Sequence, residues 1–217
     1  MIETTTTITL RETMLKASDG TSVFARAWVP DTPKRMLVCV QGLGGHGGYY
    51  DDLAEAITPA GTVVVAGDLR GHGRSSGTRG DIDRFTRYLD DVDCTVAWAR
   101  TCWPDLPLFL MGESMGASIA IHYITRTMRQ AGETLPAGLV LIAPVLRPSV
   151  QPRPDEIVRF LRKVLLAPAR PSLALTGREE VGCRDAAFND RLRADPLFVR
   201  FASPRYITKI TRWIDQA

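Results

Sequence analysis

Histidine is scarce, with only three residues in 217, at positions 46, 72 and 122, so imidazole chemistry has few candidates. Cysteine is nearly as sparse: Cys39, Cys94, Cys102 and Cys183 lie scattered along the chain. Cys94 and Cys102 fall on one expected helix and would be separated by about 12 Å along its axis, too far for a disulfide. The thiols read as small buried apolar groups in a reducing, cytoplasmic setting. The N-terminus, Met1-Ile2-Glu3 and four threonines, lacks a basic start and an apolar core, and the longest apolar run, Ala137–Leu146, is interrupted by Pro144. Neither a signal peptide nor a spanning helix is expected. A net charge of +3 with no basic block argues against nucleic acid as a partner. No cofactor and no metal are expected. What remains is ordinary globular composition, 45% apolar and 24% charged, in a length that suits one domain with a sizeable insertion.

The most informative stretch is 107–131. An apolar run, Pro107–Met111, meets Gly112-Glu113-Ser114-Met115-Gly116, and small or branched apolar residues then recur at helical spacing (Ala117, Ala120, Ile121, Ile124). This predicts strand, sharp turn and helix. Glycines two residues to either side of Ser114 suit a corner so tight that a side chain at Gly112 or Gly116 would strike backbone, leaving the serine hydroxyl presented at the top of a sheet. The competing reading is a serine that merely caps the helix.

Around this corner the chain alternates. β-rich runs at 5–15 and 21–29, joined through Ser18-Asp19-Gly20, predict a hairpin. Met36–Val40, Thr62–Ala66 and Gly138–Ala143 are apolar on both faces, as expected of strands covered by helices on both sides. Helices are predicted over Tyr49–Ala60 and over Asp81–Trp103, the latter with Phe85, Leu89, Val92, Val96 and Ala99 on one stripe. The rhythm is that of a doubly wound, mostly parallel α/β sheet with its site at the carboxyl ends of the strands. After the first buried strand, five of the eight residues in Gln41–Gly48 are glycine. Such a loop can turn main-chain N–H groups toward an anion, either a phosphate or the oxyanion of acyl transfer. No Gly-Lys-Ser/Thr follows, which excludes a P-loop, and the spacing is not the dinucleotide fingerprint.

The alternation stops at Val145. Residues 145–204 read as a lid or a second small layer, and 205–217 as a return helix with Ile207, Ile210 and Ile214 on one face. Residues 155–167 suit an amphipathic helix with Ile157, Phe160, Leu161 and Val164 on one side, packing down onto the site in preference to lying on a membrane. Between 147 and 205 there are 12 Lys and Arg against 7 Asp and Glu, so the cap is the basic part of the molecule. That surplus suits either a solvated face or an anionic lipid or substrate.

With these motifs in place, the chain resembles the monoacylglycerol lipase and lysophospholipase branch of the α/β-hydrolases. The resemblance is carried by Gly42–Tyr50, Asp68–Ser75, Gly112–Gly116 and Arg193–Leu197, and runs along nearly the whole chain. It implies an α/β-hydrolase core over 1–144, a helical cap insertion over 145–204, and an acyl-enzyme on Ser114 with the backbone N–H groups of Leu43 and Met115 as oxyanion hole. Gln41 stands where the family usually has histidine, and Ala117 where it often has a third glycine. A serine nucleophile needs a base oriented by a carboxylate, and in this fold both follow it in the chain. His122, about 12 Å down the helix from the corner, does not suit that role. His46 and His72 lie in loops at the site end of the sheet, and His46 could reach the site from the glycine-rich loop, but both, with Asp68, read as loop-holding groups in preference. The fold is therefore expected to be C-terminally incomplete, with 139–143 left as an open sheet edge. The implied substrate is a small acyl ester, with a lipid surface met by the cap and a second copy paired through the edge as further candidate partners. Two other readings remain: an incomplete hydrolase that binds acyl ligands or a partner, and the same fold cleaving an amide.

Overall fold

A computed structural model describes residues 7–130, 132, 134–145, 154–175 and 185–214. The chain opens with the expected hairpin, β1 (Ile8–Lys16) and β2 (Ser22–Pro30), paired antiparallel from Ile8 opposite Pro30 to Lys16 opposite Ser22. Asp19 Oδ1 accepts from the Thr21 amide at 3.1 Å, and Gly20 takes the left-handed conformation the turn requires. Then follow β3 (Arg35–Val40), α1 (Asp51–Ile57), β4 (Thr62–Gly67), α2 (Arg87–Cys102), β5 (Leu108–Glu113), α3 (Met115–Met128) and β6 (Gly138–Ile142). Their order across the sheet is β1-β2-β4-β3-β5-β6. β3 lies between β4 and β5 and is parallel to both, β6 is parallel to β5, and the hairpin joins antiparallel through β2 and β4.

For two of the three doubly apolar strands, β3 and β4, the expectation holds: successive side chains of a strand point to opposite faces, and both faces are covered. β6 departs from it, with Leu139 to Ile142 exposed because no helix or strand among the described residues covers them. Val63 and Val65 pack with Val92, Val96 and Ile119 of α2 and α3, whereas Val64 and Ala66 pack with Tyr50 and Ala54 beside α1.

Two helix boundaries differ from expectation. The long helix begins at Arg87 rather than Asp81. The Asp81 carboxylate is engaged elsewhere, accepting from Ser203 Oγ at 2.5 Å and Arg205 Nε at 3.1 Å, so 78–86 run as turns that reach the far end of the chain. The helix expected over 49–60 is split into α1 between two 3-10 turns, Gly47–Tyr50 and Thr58–Ala60. The second of these carries Pro59, and Gly61 ends it at φ +91°.

Beyond β6 come α4 (Pro154–Leu166), β7 (Leu173–Ala174), α5 (Ala186–Ala194), β8 (Phe201–Ala202) and α6 (Pro204–Ile214), with β7 and β8 antiparallel. Other parts of the expected cap, Cys183, and residues 215–217 lie outside the described residues. α6 returns to the core: Tyr206 and Trp213 are buried with Phe85 and Tyr88. α4 differs from its expectation. It packs against α6; of the expected face, Phe160 and Val164 are half-buried, whereas Ile157 and Leu161 are 42% and 53% exposed. The open edge is as expected: β6 has one strand partner among the described residues, and Leu139 to Ile142 are all exposed. Among the described residues no helix is long and apolar enough to cross a membrane.

Candidate active site

β5 runs into α3 with Ser114 as the one residue between them, at φ +53° and ψ −115°. A non-glycine residue in this region is strained and persists only where the surroundings impose it. The surroundings are backbone. A methyl carbon on Gly112 would lie 2.3 Å from the Gly116 carbonyl oxygen, and one on Gly116 would lie 2.1 Å from that of Val40. Strand and helix therefore touch through their glycines, and Ser114, the residue at the corner between them, is half-buried. Its amide donates to Ile142 O at 2.9 Å, tying the corner to β6. Ser114 stands at the N-cap position, but its hydroxyl makes no capping bond, which removes the capping reading. Among the described residues nothing hydrogen-bonds that hydroxyl.

The glycine-rich loop lies against the serine, since a methyl on Gly42 would sit 3.2 Å from Ser114 Cβ. The N–H groups of Leu43 and Met115 have no acceptor among the described residues. Met115 is fixed from behind: its side chain is buried, and the Tyr206 hydroxyl donates to its sulfur at 3.0 Å.

The polar residues around this corner hold loops. Gln41, buried where the family usually has histidine, donates through its amide nitrogen to Gly67 O and accepts at its oxygen from Leu69 N, both at 3.0 Å. Asp68 accepts from the amides of Gly47 (2.7 Å) and Arg74 (2.8 Å), binding the glycine-rich loop to the 67–77 loop. Arg70 reaches Asp91 through Nε and Nη2 and Asp19 through Nη1, joining that loop to α2 and to the hairpin turn. His46 accepts from Gly48 N at Nδ1 (3.0 Å) and meets Asp195 Oδ2 at Nε2 (2.8 Å). Asp195 also accepts from the Tyr49 hydroxyl at 2.5 Å and from Leu197 N at 2.8 Å. Burial pushes the Asp195 carboxyl up, but hydrogen bonds from Tyr49, the Leu197 amide and His46 outweigh it and hold it below the usual carboxylate range. His122 Nε2 bonds to Trp213 O at 3.0 Å, tying α3 to α6. Each of the three histidines is thus engaged away from Ser114. Tyr49, Asp91 and Asp195 are members of this scaffold to which the sequence reading gives no role. Tyr49 and Asp195 lie within the motifs Gly42–Tyr50 and Arg193–Leu197 that carry the resemblance, and glycine-rich loops, lacking side chains of their own, need outside groups to hold them; Asp91 has no such signal.

His72 is fully buried, with Nδ1 bonded to Arg70 O at 3.0 Å. Burial, only partly offset by that bond, lowers its pKa to about 4. A folded value below the ordinary one of about 6.5 means that the neutral ring stabilises the fold above pH ~6.5, and that this stability is lost as pH falls through the folded value. Urea unfolding should therefore show a loss of about 3 kcal/mol between pH 7 and pH 4. His72→Gln should flatten that limb; an identical pH dependence in the variant would place the loss at other groups.

A strained serine between strand and helix, at the carboxyl end of a doubly wound sheet and beside a glycine-rich loop, defines the α/β-hydrolase class. The profile of the family described as serine aminopeptidase, S33, matches residues 31–217, and the chain belongs to that family. It is 35% identical over 136 residues to a monoglyceride lipase homolog of Monkeypox virus, covering 62% of this chain and 48% of that protein. It is 33% identical over 186 residues to the monoglyceride lipase of Mus musculus, covering 84% of this chain and 59% of that one. The chain therefore spans roughly half to three-fifths of the length of these relatives. Among solved structures, a soluble variant of monoglyceride lipase from Saccharomyces cerevisiae, in complex with a substrate analog, superposes with a TM-score of 0.76 at 17% identity, over all of this chain and 71% of that one. A monoacylglycerol lipase from Paleococcus ferrophilus gives a TM-score of 0.68 at 24% identity, over 89% and 70% of the two chains. These two likenesses establish the fold.

Proposed function

We propose that this chain hydrolyses carboxylic esters of the monoacylglycerol or lysophospholipid type through an acyl-enzyme on Ser114. The observation that supports the reading is the combination at the corner: a strained serine with the glycine-rich loop packed against its Cβ, and the N–H groups of Leu43 and Met115 left without acceptors among the described residues. Ser114 Oγ would attack the acyl carbon and give up its proton to a base, and the carbonyl oxygen, now negative, would be held by those amides. Collapse breaks the ester C–O bond and the alcohol oxygen takes that proton as it leaves; water then attacks the acyl carbon, one of its protons returns to Ser114 Oγ, and the acid is released. Relatives named monoglyceride lipase and phospholipase support an ester over an amide as the bond cleaved.

The test is a fluorophosphonate probe, which forms a serine O–P bond and expels fluoride. Labelling of the folded chain that disappears in Ser114→Ala is the expected result. Folded material that stays unlabelled would favour a binding module. Because His46, His72 and His122 are engaged elsewhere, added imidazole should accelerate labelling by serving as the base.

The proposal extends to a lipid surface. α4 turns Val158, Leu161 and Leu165 outward, at 67%, 53% and 82% exposure, beside Arg162. Such a face suits the interfacial region of a bilayer. Co-sedimentation with phosphatidylglycerol-containing vesicles should be lost in Leu165→Asp, and unchanged binding by that variant would remove α4 from the reading.

A further inference from the structure

We propose that Asp195 is a positioning residue whose carboxylate clamps the 195–199 segment onto the glycine-rich loop and so sets the direction of the Leu43 amide, a role that rests on reading Ser114 as the nucleophile. The need for a clamp follows from the loop's composition. Gly42, Gly44 and Gly45 leave the backbone around Leu43 with little conformational restraint of its own. A donor that stabilises a developing charge must nevertheless be aimed beforehand. Upstream, Gln41 holds the strand end through Gly67 and Leu69. Downstream, the holding groups come from a segment about 150 residues away in sequence. Asp195 Oδ2 accepts from Tyr49 and His46, and its Oδ1 from Leu197 N. His46 Nδ1 accepts from Gly48, which leaves the ring proton on Nε2 for donation to Asp195.

The contacts continue to the residue beside Leu43. Val199 N donates to Gly44 O at 2.9 Å, and the Phe198 ring lies so close that a methyl on Gly44 would meet it at 2.8 Å. Arg79 braces the same segment, bonding Leu197 O and Gly73 O at 2.8 Å each. The sheet and its covering helices do not pass through these contacts. Loosening them should therefore cost the loop its aim and leave the core intact.

Asp195→Ala should lower the fluorophosphonate labelling rate of Ser114 by about tenfold to a hundredfold, the range expected when reacting groups are misplaced by about an ångström. Tyr49→Phe, which removes one donor, should give a smaller drop. With a p-nitrophenyl ester the loss should fall on kcat with KM little changed, while the thermal midpoint stays near wild type. Amide exchange at Gly48 and Val199 should accelerate in Asp195→Ala. Wild-type labelling with an unchanged rate in Asp195→Ala overturns the clamp alone, as does a rate loss that only follows the unfolded fraction. An unlabelled wild type overturns the nucleophile reading and this role together.

Discussion

Gly116→Ala is expected to leave little folded protein, with a destabilisation of at least about 4 kcal/mol, beyond the usual ~1–3 kcal/mol of overpacking. The added methyl carbon would lie 2.1 Å from Val40 O and 2.6 Å from Gln41 O. A flexible side chain could swing away from such a contact. These atoms cannot, because they are backbone at and just beyond the end of β3, where Val40 pairs with Gly112 of β5 and the Gln41 side chain is bonded to Gly67 and Leu69. Relief requires pushing α3 off the sheet, which would uncover Ile119 and Ala120, both fully buried. Against a typical domain stability of about 5–15 kcal/mol, that loss removes much of the margin. Gly20→Ala is the control: its methyl would meet nothing within 4 Å, and only its left-handed backbone should cost about 1–2 kcal/mol. Urea unfolding of the two variants checks the ordering. Gly116→Ala within 1 kcal/mol of wild type would mean, on this estimate, that strand and helix do not touch as described.

Asp91→Ala should cost about 3–5 kcal/mol, the penalty for leaving a buried charge without its partner. Arg70 and Asp91 are 6% and 1% exposed, and their contacts include Arg70 Nη2 to Asp91 Oδ1 at 2.7 Å and the Arg70 amide to Asp91 Oδ2 at 2.9 Å. Removing the carboxylate leaves the guanidinium with Asp19 as its remaining acidic partner and strands the amide as well. Pairing Asp91→Leu with Arg70→Met should recover most of the loss, since apolar replacement of a buried ion pair is often neutral or better. A double variant as unstable as Asp91→Ala alone would show that the backbone bond to Arg70, not the charge, dominates.

β3 and β4 were legible because a segment covered on both faces must be apolar at every position, and that pattern is complete within five or six residues; β6 carries the same pattern, but the described residues leave it exposed. Gly112 and Gly116 were legible for a similar reason: the corner's steric demand acts over five consecutive positions. The start of α2 was not. Asp81 sits at the head of a helical-looking run, yet its carboxylate is taken by Ser203 and Arg205. Nothing near Asp81 in the chain announces partners more than 120 positions away. α4 was misjudged from the same cause, since helical periodicity identifies an apolar face but not what lies opposite it.

The sequence by itself determined the order of strands and helices as far as β6, the serine corner and the glycine-rich loop beside it, all features imposed by backbone geometry and side-chain period over a short window. Only the tertiary structure decided that His46 and Tyr49 meet Asp195, that Arg70 is buried against Asp91 and that the return helix α6 meets α3 through His122 and Trp213. Such contacts join residues with no local preference for one another, and they form only when the folded sheet and its connections bring distant segments within a hydrogen bond's length.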